Sequence, residues 1–396
     1  MSKLLKQNML RRKINDGVKI KTAFINHDIS KWKEKSLYFE IKADPFFENP
    51  VVIVINDTGI ADDVRYQKYK FALNYFNESG YQAVEGYSSD RYPRVDLYEQ
   101  FDIIFISDIN MTQFSGGHSF ELACEMSLGC YLPYGMHLSG NSGYHFNLSR
   151  FEKLWRWFFE SQEILDLKKS FTNQLFGNER VVGYINFDQY LFEDKQENEH
   201  KQNECGIIYA PHWTNGDEWD FEFGTFNWSA PVVLDLMVSN PQDYFWYRPH
   251  PLLDISVREQ WPQSKKIDRE WYFYFIDEIS RLSNVRTIIG PEYIHCFKMS
   301  RALITDSVSF LGEYLPAQKP VVALMQDKSS YNKFGKQIVD SYYIARNPTE
   351  LYSAYENVIK LGNDPMASER EMRLNYLFLN DKSTVASKII RSITVF

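Results

Sequence analysis

Three apolar runs in the second half of the chain end in residues of one kind of chemistry. Ile207-Ile208-Tyr209-Ala210 leads into Pro211-His212-Trp213, and Tyr244-Phe245-Trp246-Tyr247-Arg248 leads into Pro249-His250-Pro251. Arg301-Ala302-Leu303-Ile304-Thr305 leads into Asp306-Ser307-Val308-Ser309. Brought together, these ends would offer two imidazoles, the Arg248 guanidinium, the Thr305, Ser307 and Ser309 hydroxyls, and a helix opening at Ser307. A helix N-terminus carries unpaired N–H groups and partial positive charge, which suits phosphate. Serine hydroxyls can cap that helix or bond phosphate oxygens, while histidine and arginine neutralise a diphosphate. Such a site would stabilise a nucleoside-phosphate leaving group. Glu313, six residues into the helix, could accept a hydrogen bond from a ribose or glycerol hydroxyl. Each residue alone also has a structural explanation: packing for a strand-end histidine, an N-cap for Ser307, a surface carboxylate for Glu313. Their recurrence at three strand ends points to a site.

The surrounding pattern predicts the elements that would position them. Val51 to Ile55 and Phe101 to Ile106 are β-branched or aromatic runs of the buried-strand type, with a turn at 56–59 after the first. Helices are expected over Ala61–Ser79, His118–Leu128 and Phe151–Lys169, with short strands from Cys130 and over Val181–Ile185. Beyond a polar stretch at 192–204, which reads as a linker, strands at 206–210, 244–248, 285–289, 301–305 and 320–324 alternate with helices. Alternation of this kind implies parallel sheets with right-handed crossovers. Ligands then bind outside the carboxyl ends of the strands. The Trp213–Trp228 loop, with Asp217, Glu218, Asp220 and Glu222, reads either as a lining of that region or as a surface loop.

Composition narrows the classes. The 396 residues are 44% hydrophobic and 24% charged, with a net charge of -8. That suits a folded chain of two or three domains and lacks the basic field of a nucleic-acid binder. Four cysteines without a CxxC pair argue against a disulfide scaffold or a zinc knuckle, and no metal motif of the DxD kind stands out. No apolar run is long enough for a membrane span, and the first residues lack a signal-peptide core. A reducing cytoplasm is the expected compartment. The first twenty-one residues are basic, with Lys3, Lys6, Arg11, Arg12, Lys13, Lys19 and Lys21 against Asp16. They read either as a short amphipathic helix on anionic lipid or as a solvated arm.

Several stretches resemble a known family. "IIYAPHW" (207–213), "YRPHP" (247–251), "ALITDSVSFLGEYLPAQKPVV" (302–322) and "VVGYINFDQYL" (181–191) are similar to the bacterial CDP-glycerol glycerophosphotransferases, the teichoic-acid and capsule-type polymerases. The resemblance is good over about 180–325 and looser over 30–170. It implies an α/β GT-B architecture, two Rossmann-like domains facing a central cleft, with the nucleotide on the second. The expected division is a basic arm and lead-in at 1–45, an acceptor domain at 46–170 and a donor domain at 171–370. A C-terminal helix at 371–396 could pack back on the first domain. The resemblance further implies a transfer that needs no metal or other cofactor. CMP would be released from a CDP-activated donor to a saccharide, polyol or lipid-linked polymer acceptor, at the cytoplasmic face of a bacterial membrane.

Carried over by residue, His250 resembles the family histidine near the donor phosphates. Asp306 and Ser309 match the strand-end Asp and the second Ser, and Glu313 stands where the family commonly has an Asp. Two departures matter. Val308 replaces the first of two adjacent serines. In place of a Trp-His-Gly motif, whose histidine is the family's proposed base, the chain has Pro133-Tyr134-Gly135-Met136-His137. Tyr134 thus stands at the base position, with His137 the nearest imidazole and His118 another. Two further readings stay open: a GT-B glycosyltransferase using CMP-sialic acid or another nucleotide sugar, and a non-catalytic nucleotide-binding subunit of an assembly.

Overall fold

The computed structural model describes residues 2–56, 63–108, 117–146, 149–172, 176–191, 205–215, 222–290, 293–378 and 383–395. The rest of the turn expected after Asn56, the expected linker at 192–204, and Asp217, Glu218 and Asp220 lie outside the described residues. The chain divides into two units. The first comprises residues 1–136, 143–189 and 381–396, and the second comprises 137–142 and 190–380.

Short apolar runs make the first sheet: β1 (Thr22–Asn26), β2 (Val51–Val54), β3 (Ala83–Glu85), β4 (Ile103–Ile106), β5 (Leu128–Tyr131), β6 (Arg156–Phe159) and β7 (Glu179–Val181). All pairings are parallel, in the order β3-β2-β1-β4-β5-β6-β7. β1, β2, β4 and β5 are buried at every position, as strands covered on both faces require. The second sheet holds β8 (Ile207–Ala210), β9 (Phe245–Tyr247), β10 (Val285–Thr287), β11 (Ala302–Thr305), β12 (Val321–Leu324) and β13 (Tyr343–Ala345). It too is parallel, ordered β10-β9-β8-β11-β12-β13. In each sheet the chain starts in the middle and builds outward on both sides. The order therefore reverses between β1 and β4, and again between β8 and β11.

Residues 1–45 are no lead-in, because they supply β1, the strand between β2 and β4. The basic segment forms a helix, Lys3–Asn15, seated through the buried Leu10. Lys6 Nζ donates to the carbonyls of Cys124 and Ser127, each at 2.7 Å. These end the helix Phe120–Met126, where a cation is favoured. Lys3 Nζ bonds the carbonyls of Glu152 and Leu154, and Lys13 pairs with Asp102 at 2.7 Å. Lys3, Lys6 and Lys13 thus serve the fold.

The single helix expected over Phe151–Lys169 is two elements. Arg156-Trp157-Phe158-Phe159 is β6, pairing with Cys130 and Tyr131 of β5. The helix begins only at Gln162, where Ser161 accepts the Ile164 N–H at 3.2 Å. The aromatic run fits a pleated, covered surface, and its side chains are buried. The expected strand over Val181–Ile185 shifts to β7, two residues earlier.

The first unit closes with the last helix of the chain, Val385–Thr394. Buried Asp188 accepts from Val385 N at 2.8 Å and from Ala386 N at 2.9 Å, satisfying two donors of its first turn. Ile389 and Ile393 are fully buried where this helix meets the helix Lys35–Ala43. The expected boundary at 371 instead falls inside a second-unit helix, Ala367–Phe378. Among the described residues, no helix is long and apolar enough to cross a membrane. Ile389→Ala should cost the first unit about 2–5 kcal/mol through the cavity it leaves. Urea unfolding should show a lowered midpoint.

Candidate functional site

The switch point of the second sheet lies between β8 and β11, and most of the residues singled out by sequence sit there. β8 delivers His212, β9 delivers Arg248 and His250, and β11 delivers Asp306 and Ser307. They divide into groups that build the site and groups that face out of it.

Asp306 builds. Its fully buried carboxylate accepts from the backbone N–H of His212 and of Thr225, both at 2.5 Å, and from Thr225 Oγ1 at 2.8 Å. One side chain therefore ties together the loop after β8, the start of the helix Phe226–Ser239 and the end of β11. Thr305 builds as well. Its Oγ1 donates to Ala210 O at 2.6 Å and accepts from Ser307 N at 2.9 Å, which leaves no hydroxyl for a ligand. Glu313 is buried rather than a surface carboxylate. Its Oε2 accepts from Tyr293 Oη and its carbonyl accepts from Tyr190 Oη at 2.7 Å.

The two imidazoles are oriented alike. His212 Nδ1 accepts from Thr214 N at 3.3 Å and lies 2.8 Å from Thr214 Oγ1. His250 Nδ1 accepts from Leu252 N at 3.1 Å, capping the helix Pro251–Arg258. An imidazole that accepts at Nδ1 carries its proton at Nε2, so each ring is a hydrogen-bond donor there. Burial pushes His212 down to about 4, so it is neutral at neutral pH. The ring centres are 5.1 Å apart, and the Trp213 ring lies 6.1 Å from that of His250.

Arg248 is the strongest charge here. It is only 8% exposed, and among the described residues its guanidinium bonds carbonyls: Gly290 O at 2.8 Å and Ile288 O at 3.4 Å. Its Nε has no partner. The group lies over the rings of Tyr293 and Phe310, at 4.8 and 5.7 Å. Desolvation lowers its pKa and outweighs the opposing pull of Tyr293, Cys296 and Glu313. Ser307 occupies the N-cap of the helix Val308–Glu313, but its side chain makes no cap bond. Among the described residues, neither it nor the half-buried Ser309 spends its hydroxyl on the protein. The arrangement offers an anion a guanidinium, the His212 Nε2–H and two hydroxyls.

The expected base candidates fall elsewhere. Tyr134 belongs to the first unit and His137 to the second. Asn332 Nδ2 donates to the carbonyls of His137 and Ser139, and Asn332 N donates to Leu138 O, lacing 137–139 to the second unit. A Cβ at Gly335 would come within 2.3 Å of Leu138 O, so this lacing demands glycine there. His118 is structural. Its Nδ1 meets Tyr98 Oη at 2.7 Å, its Nε2 meets Gly86 O at 2.8 Å, and burial lowers its pKa. Thr214, Thr225 and Tyr293, which hold His212, Asp306 and Glu313, escaped the sequence reading. Only Thr225 carried a signal, the Gly224-Thr225 pair just before a helix.

No known family model matches the chain, and no curated protein is similar to it in sequence. Solved structures do resemble it. The UDP-GlcNAc 2-epimerase of Neisseria meningitidis, bound to UDP-GlcNAc, is 14% identical with a TM-score of 0.57, covering 94% of this chain and 98% of that one. MnaA of S. aureus with UDP is 13% identical with a TM-score of 0.57, covering 94% and 96%. A variant of the wall teichoic acid polymerase TagF is 14% identical with a TM-score of 0.56, covering 98% and 93%. At these identities the likeness is one of fold: two Rossmann-like parallel sheets in one chain, the GT-B fold.

Burial pushes the Asp306 carboxyl up to about 6, against hydrogen bonds that favour its ionised form. The folded state thus holds a proton that the unfolded chain releases near 3.8. Stability from that proton is complete below about 4 and is lost as pH rises through about 6, an effect of about 3 kcal/mol. Asp306→Asn abolishes this titration. The stability of wild type minus that of D306N, from denaturant unfolding, should therefore fall as pH rises between about 4 and about 6.

Proposed function

We propose that the chain is a transferase that moves a glycerol-phosphate or related polyol-phosphate unit from a CDP-activated donor to a saccharide or polyol acceptor, releasing CMP. The observation that carries the donor side is Arg248, a buried guanidinium to which no carboxylate among the described residues is bonded, at the same strand ends as the His212 Nε2–H and two serine hydroxyls. A diphosphate offers the oxygens such a set lacks and balances the buried charge. In the transfer, negative charge grows on the bridging oxygen as the phosphorus–oxygen bond breaks. Donors already fixed in place stabilise that charge without rearranging. Asp306 and Thr305 hold the frame and do not touch the ligand. The GT-B fold, shared with structures named for bound UDP and UDP-GlcNAc, supports a nucleotide diphosphate in general. The choice of a CDP-polyol rests on the stretches 207–213, 247–251 and 302–322, and the fold of TagF accords with it. Contact with an anionic membrane belongs to the same proposal, through Leu4, Leu5 and Met9, which the first helix exposes beside Arg11 and Arg12.

The test is a panel of CDP-glycerol, CDP-ribitol, CMP-sialic acid, UDP-sugars and GDP-sugars, read by thermal shift and nucleotide release. Response to CDP-polyols with CMP release supports phosphotransfer. Response to nucleotide sugars alone makes the chain a glycosyltransferase, and binding without turnover makes it a nucleotide-binding subunit. Arg248→Met should abolish the donor's thermal shift while the unliganded protein still melts as a folded protein, because no carboxylate among the described residues is bonded to this buried charge. The double change Ser307→Ala, Ser309→Ala should weaken donor binding about tenfold or more with no loss of melting temperature, since these hydroxyls hold nothing in the fold.

A further inference from the structure

Buried polar groups in folded proteins are nearly always hydrogen-bonded, and three on neighbouring loops of the second unit are not. Glu222 lies between β8 and the helix Phe226–Ser239 and is only 2% exposed, yet its Oε1 has no partner among the described residues. Gln326 and Tyr331 lie on the loop after β12, and the buried Gln326 Nε2 and Tyr331 Oη lack partners in the same sense. The two loops are laced together. Ser329 N donates to Gln326 O at 2.9 Å, Gln326 N donates to Ser329 Oγ at 3.2 Å, and Ser329 Oγ donates to Glu222 O at 3.4 Å. The Tyr331 ring lies 5.5 Å from that of Phe223, which lies 6.1 Å from the His212 ring. Burial, and after it the nearby Asp306 charge, push the Tyr331 hydroxyl above the ordinary phenol range. The cluster therefore borders the edge at which β8 and β11 deliver His212 and Asp306.

Glu222 has its charge balanced but not its hydrogen bonds. Lys266 Nζ lies 3.6 Å from Oε2 and Lys328 Nζ 3.8 Å from Oε1, both beyond hydrogen-bond reach. The backbone that carries it is fixed. Phe223 N donates to Thr214 Oγ1 at 3.4 Å and Gly224 N to Thr214 O at 2.8 Å, and a Cβ at Gly224 would collide with that same carbonyl. The carboxylate is thus held in place with one oxygen left to accept.

We propose that Glu222, Gln326 and Tyr331 form the subsite for the group that the donor transfers, and that they recognise this group by its hydroxyls. This rests on the transferase reading and narrows it. An ionised carboxylate only accepts, an amide N–H only donates, and a phenol does either. A group with neighbouring hydroxyls matches all three, because each hydroxyl both donates and accepts. Its bond to Glu222 is of the stronger, charge-assisted kind. Other chemistries fit less well: Glu222 repels a phosphate or carboxylate, and Lys266 and Lys328 repel an ammonium. Glu313, where the sequence placed hydroxyl recognition, spends Oε2 on Tyr293. A site built to bond hydroxyls also penalises a ligand that lacks them, since its own buried polar atoms then stay unpaired.

The test measures the affinity of wild type, Glu222→Gln, Gln326→Leu and Tyr331→Phe for three ligands. These are CDP-glycerol, CDP-propanol, which keeps the diphosphate but lacks both free hydroxyls, and CDP. Wild type should hold CDP-glycerol at least ~10-fold more tightly than CDP-propanol. E222Q should lose most of that preference while holding CDP as wild type does, and Q326L and Y331F should each reduce it. Y331F removes a hydroxyl with no partner among the described residues, so it should melt no lower than wild type and decides the matter even where E222Q folds poorly. A purely structural role would weaken all three ligands together and leave the ratio unchanged. Equal loss of CDP and CDP-glycerol in E222Q assigns the cluster to the nucleotide and overturns the proposal. A wild type without the preference, or an undiminished preference in E222Q and Y331F, overturns it too. Each of these outcomes leaves the transferase reading standing. Wild type that binds none of the three, while another donor of the panel is accepted, overturns both.

Discussion

A buried carboxylate can only accept, so a fold that hides one must bring donors to it. Asp306 imposes that condition on the carboxyl edge of the second sheet. Its donors come from His212 and Thr225, residues far from it in the chain, so satisfying one side chain fixes two loops against the end of β11. His212 is then held by its backbone, and its ring is turned by Thr214. Thr305 completes the frame from the strand itself, bonding Ala210 across the sheet and Ser307 ahead. What the frame leaves unspent are the groups that could meet a ligand. The division of labour follows from satisfiability: residues whose polar atoms are all used position the others.

The two switch points handle charge in opposite ways. In the first sheet, the Asp108 carboxylate pairs with the Lys31 ammonium and also meets His27. In the second, Arg248 bonds carbonyls and lies over aromatic faces, with no carboxylate bonded to it among the described residues and Glu313 acting on it only through space. A self-compensated pair keeps its geometry whatever is bound and so suits structure. A cation without a bonded carboxylate gains stability from an anion and so suits binding. The same topology can serve either purpose, because topology supplies the edge and side chains supply the chemistry.

Much of this was legible in the sequence, and the reasons for the gaps are physical. The second sheet was readable because its strands are continuous apolar runs bounded by proline, glycine or histidine. The outward-facing donors were readable because their residue types announce them. The roles of Asp306, Thr305 and Glu313 were not, since whether a polar group points inward depends on partners remote in sequence, such as Thr225 and Tyr293. β6 was misread because Trp155 to Phe159 suit helix and strand equally, and only pairing with β5 decides. β1 was missed as a short run between basic residues. The basic segment misled in another way. Its lysines looked like a solvated face, whereas Lys6 answers the carbonyl end of a helix more than a hundred residues away.

The first unit is discontinuous, and one piece of it follows the second unit in the chain. Residues 190–380 lie between Asp188 and the helix whose first turn it satisfies. During synthesis the seven strands of the first sheet emerge early, but the helix that packs on Lys35–Ala43 is made only after the second unit. Until then that apolar face stays open, while the second unit, whose sheet lies within one continuous segment, can finish its own core. A product that stops before the helix Val385–Thr394 would therefore carry an assembled second unit joined to an unsealed first, a form that quality-control proteases are suited to remove.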